Sequence, residues 1–202
     1  MPNSIGPRGL VPSRYLDGSA WNGAVNMYCI PSTDGSIYGP GDAVKSAAGG
    51  DANGIPYVQK AASNDTVRGV VVAVVVSAPN NPSLVGNVID NTTQAIPATK
   101  TRDYYVLVAD DPTLIFEIQD DGSSALTSTA CNKNASLTVA NPTAPQQNSA
   151  TSLACSTVAT TQSLNLKILG LVQKPGNEYG KYAAGAVRFN QHELGGSNTA
   201  GV

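Results

Sequence analysis

The sequence predicts an all-β fold of the sandwich, jelly-roll or small-barrel type. Valine-rich and alternating apolar segments recur along the 202 residues, and 20 glycines and 13 prolines punctuate them. Glutamate, a good helix former, occurs only at Glu117, Glu178 and Glu193. Ser, Thr and Asn are abundant instead, and their side chains compete with the helix for backbone hydrogen bonds. Long helices are therefore not expected.

Residues 1–26 are predicted to form an extended N-terminal arm. Pro2, Pro7 and Pro12 alternate here with glycines, and proline fixes φ and removes backbone donors. Such a segment is either a disordered terminus or an arm that becomes ordered on a partner.

A single β domain is predicted over residues 27–194. The segment TVRGVVVAVVV, residues 66–76, is the strongest strand signal, since a continuous valine run fits a strand buried on both faces. In residues 114–119, Leu114, Phe116 and Ile118 alternate with Ile115, Glu117 and Gln119, which is typical of a half-buried strand with one apolar face. The other predicted strands cover residues 27–30, 38–44, 57–58, 103–108, 137–139, 164–172 and 186–192.

Two polar segments complete the prediction. Residues 122–163 carry a single charge, Lys133, and are interrupted by Pro142 and Pro145. They predict a long polar loop or hairpin, which in a compact domain is usually functional or disordered. Residues 195–202 predict a flexible C-terminal tail.

Composition excludes several classes of function. Only 13 % of the residues are charged and the net charge is −2, so neither a nucleic-acid surface nor a disordered chain is indicated. No stretch approaches the roughly 20 apolar residues of a membrane helix, and no secretory signal is evident at the N-terminus. Low charge suits large contact surfaces, where desolvating charges is costly.

Motifs for catalysis or metal binding are weak. His192 is the single histidine, so His-rich metal sites are excluded, and it is predicted to be a surface or interface residue. The pairs 110–111 and 120–121 are both Asp-Asp and flank the strand that contains Glu117. Paired carboxylates could serve glycoside hydrolysis or hold Ca²⁺, but at turns Asp more often caps the backbone.

The cysteines Cys29, Cys131 and Cys155 share no metal-binding spacing. They are interpreted as small, buried or inert thiols of a reducing cytosol, with a Cys131–Cys155 bridge as the alternative.

Five ordered blocks of the chain resemble the structural cement, or capsid decoration, proteins of tailed bacteriophages, especially podovirus-like ones. These blocks cover most of residues 14–194 and are RYLDGSAWNGAVNMYCIP, GDAVKSAAGGDANGIPYVQKAA, DTVRGVVVAVV, YYVLVADDPTLIFEIQDD and LKILGLVQKPGNEYGKYAAGAVRFNQHEL. The resemblance implies a jelly-roll or β-tulip-like fold. It is weakest in residues 122–163.

The resemblance also implies a non-enzymatic virion structural protein. Such a protein is made in the cytoplasm of the host bacterium and binds the outer capsid surface, where it cements neighbouring subunits against the pressure of the packaged DNA. The partners expected are the phage major capsid protein and further copies of this chain, as a dimer or trimer at capsid symmetry axes. No nucleic acid, membrane or cofactor is expected as a partner. A glycan-binding or glycan-hydrolysing β-sandwich is the alternative.

Contact residues are predicted from residue type alone, because Arg and aromatic side chains dominate binding energy at interfaces. A core anchor is the alternative role for the tryptophan among them, and packing on the protein's own sheet is the alternative for the two late tyrosines. No catalytic, cofactor or metal residue is predicted. The candidates are Arg8, Arg14, Tyr15 and Trp21 in the N-terminal segment and Tyr179 and Tyr182 in a later loop.

Overall fold

The computed structural model describes residues 3–75, 95–142, 147–195 and 201. These residues form two β-sheets and one short 3₁₀ turn, Ser128–Ala130, which confirms the all-β prediction. The strands are β1 Val11–Tyr15, β2 Asn26–Ile30, β3 Ala43–Gly50, β4 Pro56–Lys60, β5 Gly69–Val75, β6 Tyr104–Ala109, β7 Leu114–Gln119, β8 Asn134–Thr138, β9 Ser152–Ala159, β10 Leu166–Leu171 and β11 Ala184–Phe189.

Five strands close into a barrel in the order β2-β4-β3-β5-β6, so the small-barrel alternative describes this part of the chain. The barrel closes at a short parallel contact between β2 and β4, where Cys29 is paired with Tyr57. The valine run forms β5 and is buried on both faces, since Val71 lies inside the barrel while Val70 packs in the neighbouring core. Residue 76, the last of the predicted strand segment, and Pro79, which was predicted to end it, lie outside the described residues.

The second sheet has six strands in the order β1-β7-β11-β10-β8-β9, and all of its neighbouring pairs are antiparallel. Alternation along β7 sets its two faces, as predicted. Phe116 and Ile118 belong to the core, while Glu117 and Gln119 are only half-buried on the opposite face. That opposite face is called the outer face below.

One hydrophobic core joins the barrel to the six-stranded sheet. Val70 and Ala109 from the barrel belong to the same buried cluster as Phe116 and Phe189 from the sheet, and the two phenylalanine rings lie 5.1 Å apart. The backbone N–H of Val67 also donates to the carbonyl of Gln191 at 2.9 Å. The two sheets therefore pack against each other directly.

The N-terminal segment is attached to this body in its described part. Strand β1, which the sequence did not predict, pairs with β7 as an edge strand, and Leu10 is buried in the shared core with 1 % of its surface exposed. Pro12 fits because an edge strand leaves one row of backbone groups unpaired. The division of the chain into arm, domain and tail stays a prediction.

Residues 122–163 contain a paired hairpin of β8 and β9, and β8 covers part of the strand predicted at 137–139. Its inward side chains, such as Leu137 and Leu153, are buried in the shared core. Strand β9 was not predicted, because most of its side chains are the small ones of Ser, Thr, Ala and Cys. Residues 143–146 lie outside the described part of the chain.

The predicted tail is described only at Gly195 and Gly201. Gly201 is buried, and its backbone N–H donates to the carbonyl of Thr160 at 3.1 Å, next to the end of β9. Residues 196–200 and 202 lie outside the described residues.

Candidate contact surface

Three adjoining cavities on the outer face of the six-stranded sheet together form a groove, and small residues form its floor. Ala186 is paired with Glu117 and Ala184 with Gln119 across the ladder between β11 and β7, so each pair lies on one face. An alanine beside a longer side chain leaves space above the sheet. This outer groove is lined by Arg8, Ser13, Arg14, Glu117, Gln119, Lys174, Tyr182, Ala184 and Ala186.

The outer groove has two wider parts. One, of about 350 Å³, lies beside Arg8, Lys174 and Tyr182. The other, of about 320 Å³, lies beside Arg14 and includes Glu117 in its lining. Glu117 also lines a small depression of about 60 Å³ that it shares with Arg8 and Lys174. The carboxylate of Glu117 therefore lies between the two wider parts.

Positive charge predominates in the outer groove. Glu117 Oε2 lies 3.4 Å from Arg8 Nη2 and 4.0 Å from Lys174 Nζ, while its Oε1 accepts from Ser13 Oγ at 3.4 Å. Arg14, on β1, is exposed and adds a third cation. Because the Arg8 and Lys174 side chains are 55 % and 45 % exposed, these long ion pairs hold the cations only weakly.

The wall of the outer groove is fixed by side-chain hydrogen bonds to the backbone. Asn3 Nδ2 donates to the carbonyls of Glu178 at 2.8 Å and Lys181 at 3.1 Å. Gln119 accepts from the N–H of Gly6 at 2.8 Å and donates to the carbonyl of Ser4 at 2.9 Å. These bonds connect the N-terminal segment to β7 and to the loop before β11, so the wall is formed without a partner.

Three of the six predicted contact residues, Arg8, Arg14 and Tyr182, line this groove. Tyr182 has a φ of 61°, and its backbone N–H donates to Asp120 Oδ1 at 3.0 Å. A Cβ atom at Gly122 would lie 2.4 Å from the Tyr182 ring, so the ring packs against a position that only glycine can occupy. The Tyr182 ring therefore packs against Gly122 in addition to lining the outer groove.

The other three predicted residues lie elsewhere. Tyr15 and Trp21 are half-buried against the shared core, and Trp21 Nε1 donates to the carbonyl of Ala24 at 3.3 Å. Trp21 packs against the core from its margin, and its role as a core anchor or a contact residue stays a prediction. Tyr179 is 44 % exposed, and its hydroxyl lies 3.5 Å from Cys131 Sγ, a contact that raises the pKa of Tyr179.

Gln119 and Lys174 were missed in the sequence, although both line the outer groove. An outward-facing glutamine on an alternating strand and a lysine in a glycine-rich loop carry no local signal. Their proximity follows from the pairing of β7 with β11, which brings together segments that are far apart along the chain.

The carboxylates of both Asp-Asp pairs accept hydrogen bonds from the protein's own backbone and side chains. Asp111 caps its turn by accepting from the Thr113 N–H at 2.7 Å, and Asp121 accepts from the Ser123 N–H at 3.0 Å. Asp120 is 1 % exposed and accepts from three backbone N–H groups. Within the described ranges, no group of three or more His, Cys, Asp and Glu side chains is arranged to hold a metal ion.

Asp110 belongs to a buried polar cluster between the barrel and the end of β11. It accepts from the Tyr28 hydroxyl at 2.6 Å and lies 3.6 Å from Arg68 Nε. Burial and this hydrogen bond raise the pKa of Tyr28 to about 12. The Asp110 carboxylate therefore interacts with side chains of this chain itself.

The prediction of a surface or interface position for His192 is wrong, because the residue is 6 % exposed within the chain's own core region. Its Nδ1 accepts from the Leu194 N–H at 3.1 Å, and burial lowers its pKa. The sequence offered no sign of this burial, which results from packing beside Phe189, with ring centroids 6.0 Å apart.

All three cysteines are free thiols, so the Cys131–Cys155 bridge is absent. Cys29 and Cys155 are buried and Cys131 is half-buried. Desolvation raises the pKa of Cys29 to about 12, which keeps it protonated and unreactive at neutral pH.

Comparison with known proteins gave no match: no family model fits the chain, and neither a curated protein nor a solved structure is detectably similar to it. The resemblance to phage cement proteins therefore stays a hypothesis. In the part of the chain that the structure describes, no helix is long and apolar enough to cross a membrane.

Proposed function

We propose that this protein is a non-enzymatic cement protein of a tailed-phage virion. It would bind the outer surface of the head and join neighbouring major capsid subunits, with copies assembled as dimers or trimers at symmetry axes. The sequence blocks quoted above carry this proposal. The preformed outer groove supports it, since a rigid, open and charged surface suits protein contact better than catalysis on a small substrate.

The physical role follows from multivalency. A head filled with DNA is under outward pressure, and the junctions between capsid subunits are its weak lines. A domain that spans one junction contributes little, but many copies acting together raise the resistance of the whole shell. A rigid β body is suited to this role because little conformational entropy is lost when it binds.

Co-sedimentation tests the proposal directly. The purified full chain is mixed with expanded parent-phage heads that lack it, the heads are pelleted, and bound copies are counted against the major capsid protein. We expect saturable binding at a fixed ratio and survival of the loaded heads to a higher temperature. Protein without heads, and heads with an unrelated β protein of similar pI, are the controls.

Absence of binding to intact, expanded heads would refute the proposal. Degradation of a surface glycan by the protein, abolished by Asp111→Ala, would support the hydrolase alternative instead. Binding without any gain in heat resistance would also contradict the cement role, because stabilisation is its essential property.

A further inference from the structure

We infer that the outer groove binds an extended acidic peptide segment of a protein partner. This inference deepens the proposed function, on which it rests, by naming the part of the molecule that binds and the chemistry that it recognises. In the proposed setting the segment belongs to the major capsid protein.

Charge balance is the first argument. Arg8 and Lys174 lie within 4.0 Å of one carboxylate, that of Glu117, and Arg14 lines the same wider part of the groove as Glu117. The whole chain has a net charge of −2, so a local excess of cations is unusual for this molecule. An arginine carries five N–H donors in a planar fork that matches a carboxylate, and the pair of Arg8 with Glu117, at 3.4 Å, engages its Nη2. The cations are available to a partner's carboxylates.

The position of Glu117 favours a peptide over a nucleic acid. Duplex DNA carries one charge about every 1.7 Å, so phosphates would approach the central carboxylate along with the cations. A peptide can place a carboxylate in each wider part and a neutral residue opposite Glu117. Successive side chains of an extended strand alternate between two faces, which suits a row of separate depressions.

The rigidity of the groove is the second argument. Its floor belongs to β7 and β11, and its wall is held by Asn3 and Gln119 through hydrogen bonds to backbone groups. Little ordering is required of the protein when a peptide binds, so weak charge pairs can still give measurable affinity. An exposed salt bridge is strengthened when a partner excludes water from it.

Peptide binding by the full chain tests the inference. The probe is a fluorescently labelled nonapeptide with Glu at its first, fifth and ninth positions and Ser elsewhere, so that carboxylates and neutral side chains alternate along the face turned to the groove. The same peptide with Gln in place of Glu is the uncharged control. Binding is followed by fluorescence anisotropy at low and at physiological salt. We expect the acidic peptide to bind, the neutral peptide not to bind, and affinity to fall with salt.

Charge variants locate the binding. We expect Arg8→Gln and Lys174→Gln each to weaken binding by about threefold, and Glu117→Gln to strengthen it by about threefold. Arg102→Gln is the matched control, since Arg102 is an exposed cation that stacks 5.2 Å from the Tyr104 ring next to the barrel. It should change affinity by less than about 1.5-fold. Thermal unfolding of each variant verifies that the fold is retained.

Several results would overturn the inference. The inference is wrong if the acidic peptide does not bind, or if Arg8→Gln and Arg102→Gln lose equal affinity for it. It is also wrong if Glu117→Gln gains no affinity. Tighter binding of a single-stranded oligonucleotide that depends on the same cations would overturn it as well. A shift to dimers that the groove variants abolish would also overturn it, because the occupant would then be a second copy.

The two proposals fail separately. If the wild-type chain pellets with heads and the groove variants pellet equally well, the groove inference is wrong and the cement function stands. If the peptide series behaves as expected but the wild-type chain does not bind heads, the cement function is wrong and the groove binds an acidic segment of another protein.

Discussion

Asp120 shows how a single buried charge can organise the loop beside the outer groove. Its Oδ1 accepts from the N–H groups of Gly122 at 2.6 Å and Tyr182 at 3.0 Å, and its Oδ2 accepts from that of Ala183 at 2.8 Å. Burial raises the pKa of Asp120, while these three donors act in the opposite direction. The sequence predicted a turn role for this residue, but the contact with residues 182 and 183 depends on tertiary packing.

Replacing Asp120 with Asn should destabilise the protein by about 1–3 kcal/mol. The amide oxygen can still accept two of the N–H groups, but the amide nitrogen is a donor and would face the N–H of Ala183. Urea unfolding at pH 7 measures the loss.

Asp111→Asn is the matched control for that substitution. It removes the same charge from an exposed turn, where Oδ1 accepts both bonds from Thr113 and an amide oxygen can replace it. Its effect should stay within about 0.5 kcal/mol. Equal losses in the two variants would show that the backbone donors are not the reason for the effect of Asp120.

At the scale of elements, most strands were predictable at least in part from local sequence, and β1 and β9 were not. The valine run of β5 and the alternation of β7 each specify a strand without further context. By contrast, β1 contains a proline and depends on its pairing with the distant β7, while β9 is rich in small polar residues and has no apolar pattern of its own. The same holds for the outer groove, whose lysine and glutamine carry no local signal.

The close approach of Gly9 to Gly41 ties the N-terminal segment to the barrel. Gly9 has a φ of +72°, and a Cβ atom there would lie 2.5 Å from the carbonyl oxygen of Gly41. Next to it, the N–H of Leu10 donates to the same carbonyl at 2.9 Å. A side chain at residue 9 would therefore push the segment away from the barrel.

We expect Gly9→Ala to lower the free energy of unfolding by about 2–4 kcal/mol, the sum of a positive-φ penalty and a steric clash. Gly23→Ala isolates the first contribution, since Gly23 has a φ of +84° and no atom of the described residues would lie within 4 Å of a Cβ atom added there. It should cost about 1 kcal/mol. Urea unfolding of Gly9→Ala and Gly23→Ala, with no partner protein present, measures the two losses of stability. Similar losses would mean that the N-terminal segment is not held against the barrel.

At the scale of the whole molecule, the barrel and the six-stranded sheet share one core. Val70 and Ala109 from the barrel and Phe116 and Val187 from the sheet belong to the same buried cluster. Barrel closure depends on the short parallel contact of β2 with β4, and no local pattern of the sequence predicts this contact. A shared core of this kind predicts that neither sheet unfolds alone.

Hydrogen exchange read out by mass spectrometry tests this cooperativity. The slowest amides in β5 and in β10 should report the same free energy of opening within about 0.5 kcal/mol. Val58→Ala is the informative variant, since Val58 is buried inside the barrel, in a cluster separate from the shared core. Val58→Ala should lower the free energy of unfolding by about 2 kcal/mol. The free energy of opening of the amides in β10 should fall by the same amount, although Val58 belongs to the other sheet. A loss confined to β5 would mean that the barrel opens independently, and the rigid body that the proposed cement function requires would then be the six-stranded sheet alone.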